Sequence, residues 1–324
     1  MKTVLSLLFA IAATMTAAVA GEFPTRVQHV WGETVVPAKP LRVVSIGQND
    51  QDFLYALGIA PVGVREWWGD QPYATWPWAE AKRKELKAQP AVLKGDLNLE
   101  WVLKLEPDLI VATYSDIDEA TYSKLSAIAP TIAYPAGFPA WGAPWQNQLN
   151  LIDQATSGSN LRAKAIEADL EAKAAAIRAR YPQFAGRSAT MADMRDGQFT
   201  LWDSNSAPTR FLASMGFTFP EDLNARADSA GWIYLSLEQA RILDLDAVVW
   251  PNGRRELIEA LPIYSTLRLA KEGRSVWPGE TDPSLSAALW FQSPLSIAYA
   301  LDRFAPMLAG ALDGDPATQD LPAD

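Results

Sequence analysis

The sequence contains no cysteine and a single histidine among its 324 residues, and both shortages restrict its chemistry. Without cysteine the chain cannot form a disulfide, an iron–sulfur cluster, a thiolate zinc site or a cysteine nucleophile. One histidine, His29, cannot build a multi-histidine metal site, and its place near the start would make a Ser-His-Asp triad unusual. The sequence therefore predicts no metal ion held by the protein's own side chains.

Basic residues are also scarce, since 28 lysines and arginines face 38 acidic residues and the net charge is −10. Nucleic-acid binding is not expected, because phosphate contacts need a basic surface. The motifs GxSxG, HExxH and GxGxxG and the Walker loop are absent, and no carboxylate pair has a spacing typical of acid–base catalysis. The signals for catalysis are therefore weak, and no enzymatic activity is expected.

Residues 1–20, MKTVLSLLFAIAATMTAAVA, have the three parts of a signal peptide. Lys2 forms a short basic region, an apolar run follows, and Ala18-Val19-Ala20 matches an A-x-A cleavage site. No cysteine follows the apolar run, so a lipid anchor is not expected. The predicted location is the periplasm of a Gram-negative cell.

Two pairs of motifs repeat in the same order on either side of one long helix. FLYALGI (53–59) and FLASMGF (211–217) each predict a helix end closed by glycine, Gly58 or Gly216. LNLEWVLKLEPDLIVA (97–112) and LSLEQARILDLDAVVW (235–250) each predict a capped helix, a turn and a buried strand. This order indicates a duplicated α/β unit.

The predicted fold class is therefore α/β, with two Rossmann-like lobes of mostly parallel sheets joined by one long α-helix. In that helix the spacing of Leu161, Ala165, Ala168, Ala172 and Ala176 predicts the buried stripe. The predicted strands are 43–46, 62–64, 109–112 and 131–133, then 189–194, 199–202, 247–250 and 275–277. The predicted division is a signal peptide (1–20), an N-terminal lobe (21–157), the connecting helix (158–181), a C-terminal lobe (182–312) and a flexible tail (313–324).

The 13 tryptophans are the excess that remains to be explained. Ligands of open α/β sheets bind beyond the carboxyl ends of the strands, and two facing lobes would share one cleft there. Loop placement selects as ligand-binding candidates Arg65, Trp67, Trp68, Arg195 and Trp202.

Trp67 and Trp68 are adjacent, so in an extended segment at most one would face the cleft. Trp250 ends a strand and is assigned equally to core and cleft. Trp76 and Trp78 are expected to hold the long loop down. Packing roles are expected for Trp31, Trp101, Trp141, Trp145 and Trp277.

The chain resembles the periplasmic iron–siderophore-binding proteins of ABC transporters, the class with two rigid lobes and one connecting helix. The resemblance rests on segments that follow one another in the order of that family. They are PLRVVSIG (40–47), LYALGIAPVGV (54–64), LNLEWVLKLEPDLIV (97–111), LSAIAP (125–130), LSLEQARILDLDAVV (235–249) and LWFQSPLSIAYALDRFAP (289–306). The segment GVREWWGDQPYATWPWA (63–79) is similar to that of a subgroup of ferric-siderophore binders.

The resemblance implies roles for particular residues. Tyr114, Trp232 and Trp290 occupy positions where ferric-hydroxamate binders place cleft aromatics. Related binders have an arginine just before the NLE motif, where this chain has Lys94-Gly95-Asp96, so the anchoring cation is not identified. By similarity to the vitamin B12 binder, Glu100 and Glu238 would dock onto an ABC permease; each could equally act as a helix-cap residue.

The resemblance thus implies a monomeric periplasmic protein that captures a ferric siderophore and delivers it to an inner-membrane ABC permease. It implies no cofactor, because the siderophore itself coordinates the iron. Many aromatics and few arginines favour a nearly neutral hydroxamate complex over catecholates. The alternatives are cobalamin or haem on the same scaffold, or a secreted carbohydrate-active enzyme. Closure of the lobes is expected to be small, because one helix joins them.

Overall fold

The computed structural model describes residues 21–252 and 254–318. The predicted signal peptide lies outside these residues, as does residue 253 and the end of the predicted tail. No helix in the described ranges is both long enough and apolar enough to cross a membrane.

The first sheet is wholly parallel and has the order β5-β4-β3-β6-β7. Three of its strands, Val43–Ser45, Leu109–Ala112 and Thr131–Ala133, are mostly apolar and fully buried, as expected when helices cover both faces. Before it comes a two-stranded antiparallel hairpin, β1-β2, which was not predicted. The strands are β1 (Thr25–His29), β2 (Gly32–Val36), β3 (Val43–Ser45), β4 (Gly63–Arg65), β5 (Ala91–Leu93), β6 (Leu109–Ala112) and β7 (Thr131–Ala133).

The second sheet has the order β10-β9-β8-β11-β12. Strands β8, β11 and β12 are parallel, whereas β9 runs antiparallel to both β8 and β10. The predicted α/β class is confirmed, although "mostly parallel" describes the first sheet better than the second. The strands are β8 (Ala189–Arg195), β9 (Gln198–Trp202), β10 (Trp232–Leu235), β11 (Ala247–Val249) and β12 (Ser275–Val276).

The predicted repeat is visible in matching hydrogen bonds. Asp108, just before β6, accepts the backbone N–H groups of Leu41 and Arg42 at 2.7 and 2.8 Å, next to the start of β3. Asp246, just before β11, accepts the N–H and the hydroxyl of Ser188 at 2.9 Å, next to the start of β8. Each aspartate therefore ties the central strand of its sheet to the neighbouring strand.

The thirteen α-helices within the described residues cover the sheets and connect the lobes. Gly58 and Gly216 follow the ends of α1 and α7 with positive φ of 77° and 105°, as predicted for C′ glycines. The helices are α1 (Asp50–Ala56), α2 (Pro77–Glu85), α3 (Leu99–Lys104), α4 (Glu119–Ser126), α5 (Trp145–Ser157), α6 (Leu161–Arg180), α7 (Ala207–Ser214), α8 (Glu221–Asn224), α9 (Arg255–Glu259), α10 (Arg268–Lys271), α11 (Pro278–Thr281), α12 (Pro283–Phe291) and α13 (Pro294–Ala311). The segment around Glu238 is a 3₁₀ helix, Leu237–Leu243.

The connecting helix α6 is where predicted, but its predicted buried stripe is wrong. All five residues of that stripe, Leu161 included, are exposed. The stripe that packs inward is Ala163, Ile166, Leu170, Ala174 and Ile177. Both stripes fit a helical period, and the buried one carries the larger side chains, so it removes more apolar surface from water.

The C-terminal helix α13 is a second connection between the lobes. It packs against α12 and β12 of the second lobe, against α6, and against α1 and α2 of the first. One continuous core includes Tyr55 and Trp78 from the first lobe, Leu170 from α6, and Leu212 and Phe304 from the C-terminal half. The lobes therefore share buried apolar surface in addition to the linking helix.

Candidate functional site

A pocket lies between the lobes and takes side chains from both. The first lobe and α5 contribute Tyr114, Trp141, Ala143, Trp145 and Gln148, and the second half of the chain contributes Ala207, Arg210, Trp290, Phe291 and Gln292. Aromatic rings and one arginine dominate this lining. Such side chains suit contact with the flat apolar parts and the oxygen atoms of a ligand.

Two exposed tryptophans of the first lobe extend the pocket lining. Trp67 and Trp68 follow β4, and 43% and 46% of their surfaces are exposed. Both contact Phe291, with ring centroids 4.8 and 6.3 Å apart. The alternation expected for an extended segment does not apply here, because the chain bends at Trp68 and at Gly69, which has a φ of 96°.

Tyr114 is held at the pocket by a buried carboxylate. Asp50 accepts the Thr113 N–H and hydroxyl, both at 2.7 Å, and the Tyr114 N–H at 3.0 Å. Burial raises the pKa of Asp50 to about 6, although these donors oppose the shift. Burial likewise raises the pKa of Tyr114 to about 12, so its hydroxyl is neutral at physiological pH. A Cβ at Gly47 would overlap the Asp50 carboxylate, which explains the glycine there.

In the second lobe a chain of contacts leads from Arg195 to the pocket. The Arg195 guanidinium lies 5.3 Å from the centre of the Trp232 ring. Trp232 lies 5.3 Å from Trp202, and Trp202 lies 4.7 Å from Trp290, measured between ring centroids. Four residues selected from the sequence therefore form one continuous row of contacting side chains that ends in the pocket, in which Trp202 is 8% exposed.

This row of side chains lies at the carboxyl edge of the second sheet's parallel strands. The last residues paired between β8 and β11 are Met191 and Val249. Strand β8 continues past this level, turns, and returns as β9, in which Leu201 pairs with Ala192. Trp202 thus returns to the edge, and α7 begins beyond it. The expectation that ligand-facing residues cluster at the carboxyl ends therefore agrees with this geometry.

Arg210, the fourth residue of α7, is a cation of the pocket that sequence reasoning missed. Its guanidinium donates to the carbonyl of Asn205, and no carboxylate forms an ion pair with it among the described residues. Burial lowers the pKa of Arg210, while the charge of Asp203 opposes the shift. Arg210 immediately precedes Phe211 of the motif FLASMGF, and Asp52 immediately precedes Phe53 of the equivalent motif FLYALGI. This equivalence in the repeat is a sequence signal that could have selected Arg210 as a candidate.

Two candidates from the sequence do not join the pocket. Trp250 is 1% exposed, stacks on Trp277 with centroids 5.5 Å apart, and donates its indole N–H to Ser275 at 3.0 Å. Since it fills the core, we leave it out of the proposed ligand-binding set. Arg65 donates from Nε to the carbonyl of Gly95 at 3.1 Å, so it supports the loop that departs from related binders.

Three aromatic residues at the pocket were not ligand-binding candidates: Trp141, Trp145 and Phe291. Trp141 was assigned to packing, but it stacks on Trp67 at 6.2 Å and contacts Tyr114 at 4.9 Å. Phe291 follows Trp290 at the end of α12 and contacts the rings of four first-lobe tryptophans. Trp76 and Trp78 are buried and stacked at 5.2 Å, in agreement with the role of holding the loop.

Glu100 and Glu238 occupy matching exposed positions away from the pocket lining. Each lies in the first turn of its element, after the cap residue Asn98 or Ser236. Neither makes an ion pair within the described part of the chain. The Ser236 hydroxyl lowers the pKa of Glu238. Across residues 21–252 and 254–318, no group of three or more histidine, aspartate and glutamate side chains is placed to hold a metal ion.

Two lobes, a linking helix and a cleft between them define a periplasmic-type binding fold, and comparison with known proteins agrees. A family model described as "Periplasmic binding protein" matches residues 43–273. The chain belongs to this family.

Solved structures and a curated relative support the assignment. A periplasmic solute binding protein from Mycobacterium smegmatis is 33% identical, with a TM-score of 0.78 over 89% of this chain and 98% of that one. The iron uptake ABC transporter substrate-binding protein PiaA from Streptococcus pneumoniae is 25% identical, with a TM-score of 0.75 over 89% and 99%. The protein named "Probable siderophore-binding lipoprotein YfiY" from Bacillus subtilis is 28% identical over 60% of this chain, and the match spans 57% of its length.

Proposed function

We propose that this protein binds a ferric siderophore in the cleft and passes it to an ABC permease. The observation that carries the proposal is the pocket itself, in which rings and an arginine from both lobes converge. Aromatic side chains and a guanidinium suit a ligand whose iron is already coordinated by organic groups. The siderophore-binding name of the Bacillus relative and the iron-uptake name of the Streptococcus protein support the same ligand class.

The charge of the pocket favours a complex of low net charge, with hydroxamates as the preferred class. Arg210 is the one cation in the described pocket lining, and Arg195 lies further out, paired with Asp193 at 3.2 Å. A strongly anionic catecholate or citrate complex would need more cations to offset the loss of its hydration. The proposed ligand-binding set is Trp67, Trp68, Tyr114, Arg195, Trp202, Trp232 and Trp290, to which Trp141, Arg210 and Phe291 are added; Arg65 is left out because it supports the Gly95 loop.

The proposed partner is an inner-membrane ABC permease, reached through Glu100 and Glu238. Both are exposed and equivalent in the repeat, which suits a partner with two similar docking points. A large exposed hydrophobic residue lies close to each one in the sequence: Leu103 in α3, three residues after Glu100, and Tyr234 in β10, four residues before Glu238. Membership of the family supports a periplasmic location, with residues 1–20 as the proposed export signal.

A fluorescence titration tests the ligand class. Purified protein is titrated with ferric hydroxamate, catecholate and carboxylate siderophores, and with the iron-free form of each as the control. Iron complexes quench nearby tryptophans, so we expect saturable quenching with sub-micromolar affinity, strongest for a hydroxamate. If none of the three ferric classes quenches saturably, the proposed function is wrong; preference for a catecholate would overturn only the charge argument.

A further inference from the structure

The buried carboxylate of Asp52 joins the two halves of the pocket. It lies in α1 of the first lobe and is 1% exposed. Its Oδ2 accepts the indole N–H of Trp78 at 2.5 Å and the hydroxyl of Ser293 at 2.9 Å. Trp78 belongs to the first lobe and Ser293 begins α13, so one oxygen atom connects segments that are distant in the sequence.

Ser293 is itself fixed by a reciprocal helix cap. Its hydroxyl accepts the Ser296 N–H at 3.1 Å, and the Ser296 hydroxyl accepts the Ser293 N–H at 2.9 Å. Since a serine hydroxyl carries one proton and the Asp52 carboxylate can only accept, that proton points to Asp52. The start of α13 therefore has a defined position relative to α1.

The residues just before Ser293 form the second-lobe wall of the pocket. Trp290 and Phe291 end α12, and Gln292 turns the chain into α13 with a left-handed φ of 31°. A second bond holds this corner, because the Asn49 side chain donates to the carbonyl of Phe291. Trp290 contacts Trp202, and Phe291 contacts Trp67 and Trp68, so the corner sets the rings of both lobes.

We infer that Asp52 is a positioning residue that locks the α12–α13 corner to the first lobe and thereby fixes the spacing of the lobes. A carboxylate suits this task because one of its oxygens can accept two hydrogen bonds at once. Charged hydrogen bonds are also stronger than neutral ones, so each tolerates less displacement. The inference does not depend on which ligand the cleft binds.

A ligand-free distance measurement tests this inference. The chain has no cysteine, so Lys124→Cys in α4 and Leu257→Cys in α9 place one spin label on each lobe at exposed sites. In this background, Asp52→Leu and Ser293→Ala should broaden or shift the distance distribution from pulsed electron paramagnetic resonance. Asp52→Asn, which keeps an acceptor oxygen, should restore the original distribution.

Ser296→Ala is the matched control, because it removes a hydroxyl from the same cap but leaves the bond between Asp52 and Ser293. It should leave the distance distribution unchanged. The indole N–H resonance of Trp78 should move upfield in Asp52→Leu, as its acceptor is lost. If folded Asp52→Leu and Ser293→Ala both keep the original distribution, the inference is overturned. Should Asp52→Leu not fold, Ser293→Ala alone decides, since it removes one oxygen atom.

Discussion

The two lobes share a repeat but present their pocket residues by different means. In the first lobe, the central strand β3 has the parallel strand β4 on one side and β6 on the other. Trp67, Trp68 and Tyr114 lie in loops that follow strands of this sheet. In the second lobe, the antiparallel strands β9 and β10 take that side of β8. A parallel bridge between Ser188 and Thr218 matches the pairing that β4 makes in the first lobe.

The difference shows how each lobe keeps its rings in place. Trp202 and Trp232 are paired residues of neighbouring strands, so the ladder of backbone hydrogen bonds sets their positions. Loops lack such a ladder, and the first lobe uses buried side chains instead: Asp50 for Tyr114 and Asp52 for Trp78. The second lobe therefore relies on strand register, whereas the first relies on buried carboxylates.

The largest expected effect concerns the repeat-equivalent positions Ala112 and Trp250. Both are buried at the carboxyl end of a repeat strand, but the second lobe fills the place with an indole. Trp250→Ala, which makes the second lobe like the first, should lower the free energy of unfolding by about 3–5 kcal/mol because it leaves a cavity. Urea unfolding followed by circular dichroism measures this loss.

Trp68→Ala is the matched control for Trp250→Ala, because this tryptophan is about half exposed. Its loss of unfolding free energy should stay under about 1 kcal/mol, as is usual for surface positions. Equal losses in the two variants would contradict the assignment of Trp250 to the core and Trp68 to the cleft.

The next prediction separates the lobes by pH. Burial raises the pKa of Asp50 and of Asp52 from 3.8 to about 6, so in the folded state each holds its proton more tightly. The stability that each contributes is complete below about pH 4 and is lost as the pH rises through about 6. At Asp246, hydrogen bonds from Ser188 and Arg274 outweigh burial and lower the pKa, so its contribution is lost only as the pH falls below the ordinary aspartate value.

Asp52→Asn should therefore change the free energy of unfolding more favourably at pH 7.5 than at pH 4, because the substitution removes a group that is costly to ionise. The difference between the two changes should be on the order of 3 kcal/mol. Urea unfolding at a series of pH values measures the difference. Asp246→Asn is the control and should leave the slope between pH 5 and 7 unchanged. An unaltered slope in Asp52→Asn would show that its carboxylate does not carry the raised pKa.

Much of this organisation was predictable from the sequence, because the repeated motifs carry local signals. Cap residues such as Asn98 and glycines such as Gly58 mark helix ends wherever the helices pack. The antiparallel strand β9 also had a local signal, since Asp196-Gly197 between two apolar runs is typical of a tight hairpin, and both residues have positive φ.

The rest of the site depends on tertiary packing that no local pattern encodes. Phe291 lies far from Trp67 in the sequence and meets it because α12 and α13 return to the first lobe, whereas Trp141 meets Trp67 through the folding of the first lobe itself. The error in the α6 stripe has a related cause. Alanine fits a buried or an exposed face of a helix, so an alanine-rich sequence does not determine which face the lobes cover.

A smaller effect is expected from the arginines that serve the cleft. Arg210 lies in the pocket lining without an ion pair among the described residues, so Arg210→Gln should weaken binding of the ferric siderophore by roughly 1.5–3 kcal/mol, the range of a charged hydrogen bond. Arg195 is half exposed and paired with Asp193, so Arg195→Gln should weaken binding by about 1 kcal/mol or less. Fluorescence titration with the siderophore that binds the unmodified protein measures both, and a larger loss from Arg195→Gln would reverse the assigned roles.

The smallest effect on the isolated protein is expected at the equivalent glutamates of the two lobes. Glu100 and Glu238 are exposed and distant from the pocket lining, so the double variant Glu100→Gln, Glu238→Gln should bind siderophore with unchanged affinity. Uptake of the iron complex by cells should nevertheless fall, because docking would lose one charge on each lobe.

The matched control is the double variant Glu106→Gln and Glu256→Gln, since it removes one exposed glutamate from each lobe at other positions. Equal uptake by the two double variants would leave helix capping as the role of Glu100 and Glu238, and would contradict docking of the permease at these two equivalent positions.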